Sequence, residues 1–207
     1  MELPGDAELV ARLRARDEAA FALVLDAWSP GMLRLARSFV STPDSAAECV
    51  QDTWLAVIEG LDRFEGRSAL RTWVYRILVN TAKRRGVREG RSVPWSSVAD
   101  ESGPTVDPAR FRPPGEPYAG HWWEFPAPWP EDAVLATEMQ RLVAAAVAEL
   151  PERQRVVVVL RDIQGYDPDE VSSILVITPG YQRVLLHRGR AHVRARIEAY
   201  HARAVTS

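Results

Sequence analysis

At 207 residues and 46% hydrophobic composition, the chain is long enough for one large or two small domains and too apolar to be a disordered tail. A formal net charge of −2 excludes a globally basic nucleic-acid binder, so any DNA contact must come from local patches. The single cysteine excludes a disulfide framework or a cysteine metal site. No apolar run approaches the roughly 20 residues of a membrane span, and MELPGDAELV lacks the basic and apolar regions of a signal peptide. A cytoplasmic protein without membrane insertion is expected.

From Asp6 to Val40, apolar residues such as Leu9, Leu13, Val24, Trp28, Met32, Leu35 and Phe39 keep helical spacing, with a break expected near Ser29-Pro30. Ser41-Thr42-Pro43 reads as a helix start, Thr42 capping and Pro43 in the first turn. The helix that follows places Val50, Trp54, Val57, Ile58 and Leu61 on one buried stripe. Its charges are Asp44, Glu48, Asp52, Glu59 and Asp62, with no Lys or Arg among them. That acidic face cannot be the one that meets DNA. Cys49 lies inside this helix, where a small buried thiol is the expected role.

Arg63-Phe64-Glu65-Gly66-Arg67-Ser68 breaks the periodicity, Gly66 allowing a turn and Ser68 placed to cap the next helix. The Phe64 ring, at the edge of this loop, suits either an anchor or a stacking platform. The next helix begins near Ala69 and sends Leu70, Trp73, Val74, Ile77 and Leu78 towards a core, while Arg76, Asn80, Lys83 and Arg84 fall on another face. Cations, an amide and nearby aromatics (Trp73, Tyr75) together suit single-stranded nucleic acid, whose phosphates want charge and whose unstacked bases want rings. A solvated charged face over an ordinary core helix is the plainer alternative. Lys83, Arg84, Arg85, Arg88 and Arg91 form one basic cluster, and Arg183, Arg188, Arg190, Arg194 and Arg196 another.

Between Ser92 and Pro130 lie nine of the fifteen prolines and four of the seven tryptophans, Trp95, Trp122, Trp123 and Trp129. No regular element survives that proline density, so the stretch reads as a linker. As a flexible coil it would span only about 35 Å, but in polyproline form about 120 Å. Helix returns over Glu131 to Leu150, and Pro151 opens another. The run Val156-Val157-Val158-Val159-Leu160 has strand propensity. Pro151 and Gly165 nevertheless bracket a helix-length segment in which Val156, Val159, Leu160 and Ile163 share a face, so a helix is expected. Asp167-Pro168-Asp169-Glu170 is a capping-box helix start. A short helix, a tight turn through Val176-Ile177 and a new start at Thr178-Pro179 then make a helix-turn-helix. The four histidines show no metal-ligand spacing, and no phosphate-binding glycine loop, nucleophile elbow or paired-carboxylate site is apparent. No enzyme activity, cofactor or metal is expected.

The run ECVQDTWLAVIEGLDRFEGRSALRTWVYRILVNTAKRR resembles region 2 of bacterial sigma factors of the extracytoplasmic-function (ECF) type, and LPERQRVVVVLRDIQGYDPDEVSSILVITPGYQRVLLHRGRAHVR resembles region 4 of the same family. The resemblance implies an all-α protein of two small helical domains. Region 2 would occupy 1–91 and region 4 131–207, joined by an extended linker over 92–130 that threads polymerase channels. It implies docking on core RNA polymerase, beta and beta-prime subunits, through Glu48, Gln51, Asp52, Trp54 and Leu55. Minus-ten DNA would be held by Arg63, Phe64, Arg67, Ser68, Trp73, Arg76, Asn80, Lys83 and Arg84, with a flipped base captured in the loop. Minus-thirty-five DNA would meet Thr178, Pro179, Gly180, Gln182, Arg183, His187 and Arg188. Here the chain departs from the commoner family pattern, which has a small apolar residue at Gln182 and an arginine at Leu185, so Tyr181, Val184 and Leu185 are expected to supply the buried side. The chain stops at Ser207, soon after the second domain, and control by a separate anti-sigma protein is what the resemblance suggests. A stand-alone helix-turn-helix regulator is the rival reading, and it leaves the acidic helix and the Trp-rich linker without purpose.

Overall fold

The computed structural model describes residues 3–90 and 133–205, and the expectations placed on the linker lie outside them. Among the described residues the regular structure is helical. The helices are α1 (Asp6–Arg14), α2 (Glu18–Ala36), α3 (Pro43–Gly60), α4 (Leu70–Arg88), α5 (Ala133–Glu149), α6 (Glu152–Val158), α7 (Pro168–Leu175) and α8 (Pro179–Val205). By contacts the chain divides into two compact units, Met1–Ala99 with Val159–Pro179, and Asp100–Val158 with Gly180–Ser207.

In the first unit, α2, α3 and α4 pack on one another and α1 closes the bundle against α2. The expected break at Ser29-Pro30 does not occur, because Pro30 sits on the exposed face of a continuous α2. Its missing N–H therefore faces water, while Val24, Trp28, Met32 and Leu35 keep an unbroken buried stripe. The real break comes earlier, at Arg16 with φ +58. There Asp17 caps α2 by accepting from the backbone N–H groups of Ala19 and Ala20 at 2.9 and 3.1 Å.

Thr42 caps α3 as expected, its hydroxyl oxygen accepting from Ser45 N–H at 3.0 Å, with Pro43 opening the helix. Ala46, Cys49, Val50, Thr53, Trp54 and Val57 are buried, and the stripe runs on through Leu61. Ile58, expected on that stripe, is 54% exposed. At 100° per residue it stands about 80° round the helix from Val50, at the edge of the buried sector.

The expected Ser68 cap is also absent. Ala69 is the N-cap residue of α4 and offers no side chain to it. Asp6 of α1 caps the helix from a distance instead, its carboxylate accepting from Leu70 N–H at 2.7 Å. In α4, Leu70, Val74, Leu78 and Val79 enter the core as period 3.6 demands, but Tyr75 is fully buried too and is no stacking platform for a base. Trp73 and Ile77 are only half-buried.

The first unit also holds a π-helical turn at Val159–Ile163, α7 and the turn after it. The extra residue in the π turn aims Gln164 N–H at Val159 C=O, 3.0 Å away. α7 carries the expected capping box, Asp167 accepting from Asp169 and Glu170 N–H and Glu170 reaching back to Asp167 N–H. It ends on Val176 in the left-handed region, φ +57, where a β-branched residue is strained.

In the second unit α5, α6 and α8 carry the described structure. The valine run is helical, as expected, but burial is not confined to the expected face: Val157 and Val158 are buried beside Val156, and Ile163, expected on that face, is 49% exposed. Glu149, at the end of α5, accepts from Arg196 of α8 at 2.9 Å and stands 3.3 Å from His192. At Gly189 the backbone of α8 passes so close to α6 that a Cβ would lie 2.6 Å from Val158 Cγ2.

Candidate nucleic-acid and polymerase interfaces

On α3 the side chains of Glu48, Gln51, Asp52 and Leu55 reach solvent along one face, and Leu55 is 54% exposed. Trp54, expected beside them, is not available to a partner. It is 7% exposed, its ring stacks on Trp28 with centroids 6.3 Å apart, and its indole N–H donates to Ser29 Oγ at 3.2 Å. It is a core residue because its position at i+4 from Val50 turns it inward.

The acidic face is not free of cations either. Arg85, which the sequence places in a basic cluster, turns back from α4 and donates to Glu48, with Asp52 3.6 Å from its other terminal nitrogen. The Glu48 hydrogen bond holds Arg85 further towards its charged form. A surface pair of this kind contributes up to about 1 kcal/mol. Beside it a groove of about 580 Å³ is lined by Asp52, Ala56, Thr81, Arg84 and Arg88. Cys49, next to Arg85 in the core, has its thiol pushed up by burial and is chemically quiet.

The loop before α4 is built around a ring pair, Phe64 against Trp73 with centroids 5.1 Å apart. Gly66 turns the chain at φ +70, and Arg63 and Arg67 are exposed. Arg67 pairs with Glu65 at 3.0 Å. Sequence reasoning missed the residue that holds this loop. Arg14 of α1 donates to the carbonyl oxygens of Leu61, Asp62 and Phe64, at 3.2, 3.4 and 2.6 Å from Nη2. No local pattern announces a contact across 50 positions. Along α4, Asn80 and Arg84 are exposed, Lys83 is half-buried, and Arg76 donates to Ser173 C=O at 2.7 Å.

Thr178, just before α8, and Pro179, Gly180 and Arg183 within it are exposed, and His187 and Arg188 are half-buried. Gln182, expected on the DNA side, is 1% exposed and belongs to the interior. Leu185 is buried as expected, whereas Val184, expected on the buried side, is 45% exposed. The buried face of α8 thus passes through 182, 185, 186 and 189, at helical spacing.

Residues 24–92 match the family model for sigma-70 region 2 and residues 140–193 that for sigma-70 region 4. The RNA polymerase sigma-H factor of Pseudomonas aeruginosa is 30% identical over 185 residues, 89% of this chain and 90% of that one. The chain belongs to the ECF sigma factors. ECF RNA polymerase sigma-E factors of Salmonella typhimurium and Escherichia coli K12 are each 29% identical over 193 residues, 93% of this chain and 94% of theirs. Two solved structures share the fold. One is CnrH in complex with the cytosolic domain of CnrY, with TM-score 0.61 and 20% identity over 95% of this chain and 99% of that one. The other is the sigma factor RpoE with the anti-sigma factor NepR from Bartonella quintana, with TM-score 0.56 and 22% identity over 86% and 96%. As a sigma factor the protein binds core RNA polymerase and promoter DNA and acts in transcription initiation. Among the described residues no helix is long and apolar enough to cross a membrane.

Proposed function

We propose that this ECF sigma factor divides its work by sign of charge. The outer face of α3 (Glu48, Gln51, Asp52, Leu55) docks on the beta-prime subunit of core polymerase, and two separate basic surfaces hold the promoter. Residues 1–91 carry the first surface. The loop Arg63 to Ser68 and the α4 residues Trp73, Arg76, Asn80, Lys83 and Arg84 take the minus-ten strand once it is single. Residues 131–207 carry the second, with Thr178, Pro179, Gly180, Arg183, His187 and Arg188 meeting the minus-thirty-five duplex. Residues 92–130 join the two in sequence.

The observation that carries this reading is the Phe64–Trp73 pair, half-buried, in a loop that also carries the exposed Arg63 and Arg67. Rings at a basic loop suit an extruded base, whose unstacking costs a few kcal/mol and is offset by new stacking. The protein acts by binding, without catalysis of its own, in the cytoplasm where polymerase works. A separate anti-sigma protein restrains it, a reading supported by the complex in which the sigma factor RpoE was captured with the anti-sigma factor NepR. Run-off transcription by purified core polymerase with and without the protein tests the whole. New promoter-specific transcripts are expected, and unchanged initiation overturns it.

A further inference from the structure

Gln182, Leu185, Leu186 and Gly189 are buried and set the inner face of α8. At 100° per residue, Gly180 falls within about 10° of the centre line of the opposite face, Val184 and His187 about 30° to either side, and Arg183 and Arg188 about 70° out. Two cations thus border this face, and a valine stands near its middle. Val184 is 45% exposed. A single exposed valine needs no explanation by itself, but one placed between the two arginines of a DNA-facing helix does.

The turn before it leaves Val184 uncovered. Side chains on a helix lean towards its N-terminus, so the Val184 methyls lie over the turn that Gly180 occupies, and Gly180 has no side chain to cover them. A Cβ at Gly180 would meet nothing within 4 Å, so this end of the helix is open. Branching at Cβ holds valine largely to one rotamer in a helix, so little freedom is lost when a partner covers it.

In a helix-turn-helix, the N-terminal end of the second helix meets base edges in the major groove. There the base pairs offer hydrogen-bonding groups and one apolar group, the thymine C5-methyl. Valine can use only the last. We propose that Val184 reads a thymine, packing on the C5-methyl of one base in the minus-thirty-five duplex while Arg183 and Arg188 hold guanine edges or phosphates on either side. The assignment deepens the minus-thirty-five reading of α8 given above and rests on it.

The test uses holoenzyme assembled from purified core polymerase and the full chain, which first selects promoters from a duplex library randomised across the minus-thirty-five segment. In the selected promoter each thymine of that segment is replaced in turn by deoxyuridine, which removes one methyl and no hydrogen-bonding group. Binding is read by anisotropy, with circular dichroism melts confirming that each variant is folded. Burying one such carbon is worth about 0.8 kcal/mol, so the wild type is expected to lose about fourfold in affinity at one of these positions. With Val184→Ala that penalty is expected to vanish. A penalty equal in the two proteins, no penalty at any thymine, or a selected segment without thymine overturns the assignment. Arg183→Ala on the same duplexes separates it from the reading beneath it. Weaker binding by Arg183→Ala with an unchanged methyl penalty in Val184→Ala refutes the role of Val184 alone, whereas affinity untouched by either variant refutes the minus-thirty-five assignment of α8 as well.

Discussion

Arg14 gives the sharpest test of how the loop proposed to open the promoter is held. Its guanidinium donates to three consecutive-turn carbonyls, at 3.2, 3.4 and 2.6 Å, and only the contact to Leu61 is shielded from water. A charged donor to a carbonyl is worth about 1.5–3 kcal/mol at best. Exposure cuts the Asp62 and Phe64 contacts to a few tenths each, which with the part-buried Leu61 contact leaves about 1–2 kcal/mol for the set. Removing it should therefore shift the order–disorder equilibrium of Leu61 to Phe64 by roughly 5- to 30-fold, without touching α3. The variant is Arg14→Ala, with Arg14→Lys keeping the charge but losing the fork. The assay is permanganate reactivity of thymines at a promoter selected by run-off transcription, with core polymerase affinity measured in parallel. Expected are a 5- to 30-fold drop in opened complex for Arg14→Ala, an intermediate value for Arg14→Lys, and unchanged polymerase affinity. Opening equal to wild type, or a loss of polymerase binding, refutes the clamp.

Arg85→Met should free Glu48 and Asp52 while lowering stability by no more than about 1 kcal/mol. Polymerase affinity, followed by fluorescence anisotropy, is expected to hold or rise. Val176→Gly relieves a β-branched residue at φ +57 that is 75% exposed, so little packing is lost; a gain of about 1 kcal/mol in urea melts is expected. Gly189→Ala drives a methyl to within 2.6 Å of Val158, whose branched side chain cannot yield, and should cost about 1–3 kcal/mol in the same melts. Asp17 is held low by its hydrogen bond to Arg12, and Glu89 by the Ser45 hydroxyl and the Ser41 N–H. Depressed carboxyls stabilise above their unfolded values, near pH 4, and that contribution is lost as pH falls through the folded values. The double variant Asp17→Asn, Glu89→Gln should lose less stability between pH 5 and 2.5 than the wild type.

Where a helix had one wet face and one dry, its period was largely legible: Val50, Trp54, Val57 and Leu61, and Leu70, Val74 and Leu78 of α4, followed it while Ile58 did not, and the caps at Thr42 and Asp167 stood where short-range rules put them. Misses came where tertiary contacts took over a local role. Asp6 caps α4 from 64 residues away, so Ser68 is not needed. Pro30 is tolerated because its face is wet, and Gln182 faces inward for reasons that polarity alone does not carry; Trp54 faces inward as its place on the Val50 stripe predicts, against its assignment to the docking face. The interfaces obey the same division. Exposed cations such as Arg84 and Arg183 could be named from the chain, but which arginines are spent internally could not. Arg14, Arg76 and Arg85 all look like free basic residues in sequence, and each is committed to an oxygen acceptor contributed by a distant element. Asp52 lines the same groove as Arg84 and Arg88. Left unpaired, it would draw those arginines off any phosphate. Arg85 stands 3.6 Å from Asp52 and satisfies part of its charge. The pairing thus separates the acidic face proposed to dock on polymerase from the basic face proposed to hold DNA on the adjoining helix.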